Sequence, residues 1–185
     1  MKTQTHYFVA VPLPQPLKEA FHLYMKELKS HFPFTRWVHP EDLHITLAFL
    51  GDLEEGQKDK LTTLLKETVT NHQGFSLTLS DLGTFGNPQS PRIFWYGIEK
   101  STELNLLRQS VYDACEMVGL QIDTRPFHPH ITIARKWKGP GSIDHNLLPV
   151  HSSQKVTFEV NDIILYETHL NRLPKYEEKE IFSLV

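Results

Sequence analysis

Two periods alternate along the chain. The run His6-Tyr-Phe-Val-Ala-Val-Pro-Leu13 is dense in aromatic and β-branched residues and predicts a buried strand. From about Pro16 the apolar positions Leu17, Ala20, Phe21, Tyr24 and Leu28 recur at helical spacing, and Pro33 stops the run. After Arg36-Trp-Val-His-Pro40, the segment Asp42-Leu-His-Ile-Thr-Leu-Ala-Phe-Leu-Gly51 reads as a strand closed by glycine. Leu61, Leu64, Leu65 and Thr68 mark a helix between about Gly56 and His72. Phe75 to Leu82 alternates apolar with polar residues, the signature of a half-buried strand, and Gly83 to Pro91 reads as a turn or loop. The same order then begins again. A strand at Arg92–Ile98 precedes a helix carrying Leu104, Leu107, Val111, Cys115 and Val118, which ends at Gly119. His128–Arg135 is strand-like, Lys138 to Ser153 is a loop, and strands at Lys155–Thr168 (interrupted near Asn161-Asp162) and Tyr176–Leu184 close the chain.

A shift of 86 positions lays His44-Ile-Thr-Leu-Ala on His130-Ile-Thr-Ile-Ala, Pro40 on Pro126, Phe8 on Phe94, and one helix on the other. The expectation is an α+β fold of duplicated β-α-β units: bilobal, with two antiparallel sheets forming a central cleft and helices on the outside. Residues 1–185 then form a single domain with two lobes related by a pseudo-twofold axis.

Composition limits the class of protein. With 39% hydrophobic and 22% charged residues in 185, the chain is neither disordered nor fibrous. A formal charge of −3 offers no bulk attraction to nucleic acid or membrane, so phosphate recognition has to be local. The single cysteine, Cys115, excludes an internal disulfide and points to a reducing, cytoplasmic setting. The apolar run ending at Leu13 is too short for a span or signal segment, and no membrane partner is expected.

The chemistry lies in the repeated His-x-Thr. Residues two apart on a strand share a face, so His44 joins Thr46 and His130 joins Thr132, while Ile45, Leu47, Ile131 and Ile133 face the helices. A lone strand histidine is usually structural; two in matched settings point to a shared site. Facing imidazoles suit concerted general acid–base catalysis, and threonine hydroxyls suit the non-bridging oxygens of a phosphoryl group. The rival is a zinc site made from His44, His128 and His130, which leaves the threonines unexplained. No Gly-x-Ser-x-Gly nucleophile motif is present.

Pro40-Glu-Asp-Leu-His-Ile-Thr-Leu-Ala-Phe-Leu-Gly51 and Phe127-His-Pro-His-Ile-Thr-Ile-Ala-Arg135 resemble the two signature motifs of the two-histidine (2H) phosphoesterases. Within that group the chain is most similar to the RNA 2′,3′-cyclic phosphodiesterases, also called LigT-like proteins or 2′-5′ RNA ligases. The resemblance implies metal-independent opening of an RNA 2′,3′-cyclic phosphate to a 2′-phosphate, with no cofactor. It makes His44 the proton donor and His130 the proton acceptor, and gives Thr46, Thr132 and Arg135 the phosphate. The expected partner is RNA ending in a 2′,3′-cyclic phosphate, or a related nucleotide, bound by a monomer. Two alternatives stay open: a related enzyme acting on small nucleotides or 2′-5′ linkages, and a non-catalytic binder of RNA termini.

Strand alternation alone puts Arg135 on the face opposite His130 unless a bulge intervenes. Arg92 reads as a strand-end residue. Arg125, Arg135, Lys136 and Lys138 form a candidate basic lip with His128, and Phe49, Trp95, Tyr96 and Phe127 are candidate base-stacking aromatics.

Overall fold

The computed structural model describes residues 5–143 and 155–185. Among these residues, three helices cover one face of a twisted, open antiparallel sheet. The predicted loop Lys138–Ser153 lies in large part outside the described residues.

Strand β1 (His6–Pro12) leads into α1 (Gln15–His31), which buries Phe21, Met25 and Leu28. Met25 takes a core position, whereas Ala20, one of the expected buried residues, is exposed. Strand β2 (Phe34–Trp37), not anticipated from sequence, precedes a 3-10 turn at Pro40–Asp42 and β3 (His44–Gly51). Helix α2 (Glu55–Val69) begins with a capping box between Glu54 and Gln57. Strands β4 (Phe75–Asn87) and β5 (Ser90–Ile98) form a long hairpin, so the predicted loop from Gly83 to Pro91 is mostly sheet. The glycines misled because they make room. A Cβ on Gly83 would collide with the Trp95 ring, and Gly86 adopts a φ of 105° beside a register shift. Helix α3 (Thr102–Met117) starts at Ser101, whose hydroxyl accepts the Leu104 N–H at 3.1 Å. Strands β6 (His130–Trp137), β7 (Thr157–Val160), β8 (Asp162–Thr168) and β9 (Tyr176–Ser183) complete the chain.

The strand order is β7-β4-β5-β6-β3-β1-β8-β9. At its centre β6 and β3 meet through a single paired position, Ile45 opposite Ile131, and then diverge. Where β3 departs, β2 pairs with the far end of β6. The sheet therefore opens at its middle, and the two His-x-Thr strands flank the opening. Ile45, Leu47, Ile131 and Ile133 are all buried in one core cluster with residues of the three helices. Phe8, Ala10, Ile164 and Tyr166 form a smaller cluster, joined by Tyr176. Cys115 is a free, buried thiol on α3, and burial pushes its pKa up to about 12. No helix of the described residues is long and apolar enough to cross a membrane.

Candidate active site

Both His-x-Thr strands carry a bulge at the same place. Against β5, Trp95 lies opposite Thr132 and Phe94 opposite Ala134, so Ile133 is an extra residue in β6. Against β1, Ala10 lies opposite Thr46 and Val9 opposite Ala48, so Leu47 is extra in β3. Each inserted residue reverses the alternation downstream. Leu47 and Ala48 are both buried and Phe49 emerges; Ile133 and Ala134 are both buried and Arg135 emerges. The bulge thus brings Arg135 onto the side of His130 and Thr132, resolving the phase conflict in the sequence.

His44, Thr46, His130, Thr132 and Arg135 line one cleft of about 980 Å³. Both imidazoles are tied down in the same way. The Nδ1–H of His44 donates to the carbonyl of Asp42 at 2.7 Å, and that of His130 to the carbonyl of His128 at 2.6 Å. A carbonyl only accepts, so each ring carries its proton on Nδ1 and keeps Nε2 for proton exchange. The Thr46 hydroxyl donates to His44 Nε2 at 3.0 Å.

Electrostatics favour neutral rings while the cleft holds no anion. Desolvation lowers the pKa of His44 to about 4, with the nearby charges of Arg135 and His130 adding to the effect. His130 is also lowered, first by desolvation and then by His128 and Arg135, while its backbone hydrogen bond opposes the shift. The surroundings of His44 are Phe8, with ring centroids 4.8 Å apart, and Tyr176, edge-on at 5.2 Å. His130 meets Phe85 edge-on at 4.9 Å. His128, between Phe85 and Trp95, is the third imidazole of the cleft.

Asp42 is the one buried charged residue among those described. Its two carboxylate oxygens accept the backbone N–H groups of Lys175 and Tyr176 at 2.9 and 3.0 Å. This clasp fixes the start of β9, and with it the Tyr176 ring, against His44.

The basic lip is present in part. Arg125, Arg135 and Lys136 line the cleft, Lys138 does not, and Arg92 contributes instead. Of the four candidate aromatics, Phe49 and Phe127 reach the cleft. Phe49 is 64% exposed; Tyr96 is 4% exposed and packs edge-on against Phe21, which removes it from the site. Trp95 packs beside His128 over Gly83 and is not part of the cleft lining. Sequence reasoning missed Arg36, Phe85, Arg108, Tyr112 and Tyr176. Arg36, Phe85 and Tyr176 are placed by strand pairing and Arg108 and Tyr112 by the packing of α3, neither of which local spacing discloses. Among the described residues no three His, Cys, Asp or Glu side chains are grouped to hold a metal ion, so the proposed ligand set His44, His128 and His130 is not assembled.

The family profile of the 2′-5′ RNA ligase superfamily matches residues 14–172. A protein of Geobacillus stearothermophilus named RNA 2′,3′-cyclic phosphodiesterase is 43% identical over 182 residues, covering 98% of this chain and 58% of that protein. The chain therefore spans little more than half the length of that relative. A Bacillus subtilis protein of the same name is 36% identical over 182 residues, covering 97% and 96% of the two chains. Among solved structures, Escherichia coli LigT complexed with 3′-AMP superposes with a TM-score of 0.79 at 25% identity, covering 98% and 99%.

Proposed function

Because the chain belongs to the 2′-5′ RNA ligase superfamily, we propose that it opens RNA 2′,3′-cyclic phosphate ends to 2′-phosphates by two-histidine acid–base catalysis. The observation that carries this reading is the matched anchoring of His44 and His130, each held by Nδ1 on the carbonyl two residues earlier with Nε2 left for chemistry. His130, held neutral chiefly by desolvation, accepts a proton from the attacking water. As the P–O3′ bond breaks, His44 Nε2 gives its proton to the leaving O3′. A phosphate anion beside His44 raises the pKa that burial had depressed, so substrate binding itself loads the acid. Thr46 and Thr132 hold non-bridging oxygens, and the Arg135 guanidinium offsets charge as it builds on them.

On this reading the chain acts as one unit of two pseudo-twofold lobes. Its strand order supports this, since β6 and β3, β5 and β1, and β4 and β8 are successive pairs counted outward from the junction. Both imidazoles come from one chain, so a monomer suffices for the site, and the lone free thiol of Cys115 suits a reducing cytoplasm. The test is an oligonucleotide ending in a 2′,3′-cyclic phosphate, incubated with excess EDTA and followed by phosphorus NMR. A 2′-phosphate product is expected. An unchanged cyclic end, or a 3′-phosphate, refutes the reading.

A further inference from the structure

The cleft carries more positive charge than one phosphate requires. Among the described residues its lining includes Arg36, Arg92, Arg108, Arg125, Arg135 and Lys136, with Asp123 as the only acid. Some of that charge is already engaged. Arg125 pairs with Asp123, and the Arg108 guanidinium lies 3.9 Å from the Tyr112 ring centroid and 4.6 Å from that of Phe127. Arg36 and Arg135 are different. They sit directly opposite each other on β2 and β6, so their side chains leave the same face with Cβ atoms about 5 Å apart.

Like charges directly opposite across a sheet are destabilising. Among the described residues neither arginine enters an ion pair. The backbone is also unusual here: Lys136, the next residue, has a φ of 61°, a region that a lysine adopts at a cost. Two opposed guanidinium groups on an unfavourable backbone, both lining a cleft, form a surface suited to anions. The two cations also differ in position. Arg135 is among the leading charges felt by both His44 and His130; Arg36, one strand farther out, is not.

Building on the function proposed above, we propose that Arg36 forms a second anion subsite, receiving the phosphate attached to the 5′ oxygen of the terminal nucleoside. That group is the next anion along an RNA chain from its cyclic end, and a 5′-phosphorylated nucleotide presents the same chemistry. Arg135 serves the reacting phosphate and Arg36 the one beyond it, so the opposed pair is neutralised only by a substrate bearing both. The site thereby selects RNA ends and 5′-phosphorylated nucleotides over bare nucleoside cyclic phosphates. A cleft of about 980 Å³, at the upper end of single-ligand pockets, has room for both groups.

The experiment compares wild type, R36Q and R36K on three substrates: a nucleoside 2′,3′-cyclic phosphate, its 5′-phosphorylated form, and a dinucleotide with the same cyclic end. In R36Q, kcat/KM is expected to fall about tenfold or more on the second and third and less than threefold on the first. R36K is expected to recover a portion of the loss. Equal losses on all three, or none, overturn the proposal. A loss confined to the dinucleotide also overturns it, because the contact then belongs to the upstream nucleoside. Calorimetric binding of a nucleoside 3′,5′-bisphosphate against the 3′-monophosphate supplies a readout independent of turnover. Wild type should prefer the bisphosphate and R36Q should not; if the preference survives in R36Q, the subsite is wrong. Failure of wild type to open any of the three substrates would instead count against the two-histidine reading, with the binding comparison still deciding on Arg36. Since the pair repels in the empty cleft, R36Q should melt no lower than wild type.

Discussion

The first and second halves of the molecule use one strand design with different neighbours. In each, a histidine leans on the carbonyl two residues before it, a threonine follows on the same face, and a bulge turns one further side chain toward the cleft. In the first half that further side chain is Phe49, and 86 positions later it is Arg135. The residue supplying the carbonyl is Asp42 in one half and His128 in the other. Asp42 is buried and clasps β9; His128 remains in the cleft among aromatic rings. The result is a near-symmetric pair of anchored imidazoles inside an asymmetric enclosure. His44 is enclosed by the rings of Phe8 and Tyr176, whereas the strand of His130 adds Arg135 to the cleft. On the proposed reaction, direction would come from the flanks of the two strands, since the motifs themselves are almost interchangeable.

The largest expected effect tests whether the two imidazoles act as a unit. H44A and H130A should each lower kcat by about a thousandfold, within the usual range for general acid–base groups, and the double variant should be scarcely worse than either. Substantial activity in one single variant, measured on a cyclic-phosphate oligonucleotide, would break the symmetry outright.

The next effect separates the two anchoring residues. D42A leaves two backbone N–H groups at the start of β9 without their acceptor, costing about 3 kcal/mol and lowering the melting temperature by several degrees. H128A removes a cleft side chain and should cost about 1 kcal/mol or less. Equal losses in thermal melts would mean that Asp42 is no clasp.

The last effect appears only on acidification and vanishes near neutral pH. Both histidines have folded pKa values below the unfolded value near 6.5, so the unfolded chain binds protons first as the pH falls. Their contribution is intact above about pH 6.5 and is lost on acidification, for His44 down to about pH 4, where the penalty reaches about 3 kcal/mol. H44Q should flatten this acid limb more than H130Q does. Denaturant titrations between pH 4 and 7 check the order, and equal flattening would remove the electrostatic difference between the halves.

Local spacing carried much of the site. His44, Thr46, His130 and Thr132 share a face because two-residue alternation is written in the sequence, and the repeat pointed to a common cleft. What depended on distant pairing was not legible. Strand β2 is four residues long and exists by pairing with β6, so Arg36 carried no visible signal. Tyr176 reaches His44 only through the Asp42 clasp, more than 130 residues away in sequence. Gly83 reads as a turn former until the Trp95 ring above it is known.

The bulges at Leu47 and Ile133 make strand length a part of the chemistry. Deleting the one extra residue ahead of Arg135 would retain both histidines, both threonines and nearly all of the apolar core, yet rotate the guanidinium toward the helices. Such a chain would still look intact to any comparison of motif letters while having lost a cation from its cleft. Counting residues between the second histidine and the arginine is therefore a sharper diagnostic of competence than checking that both are present.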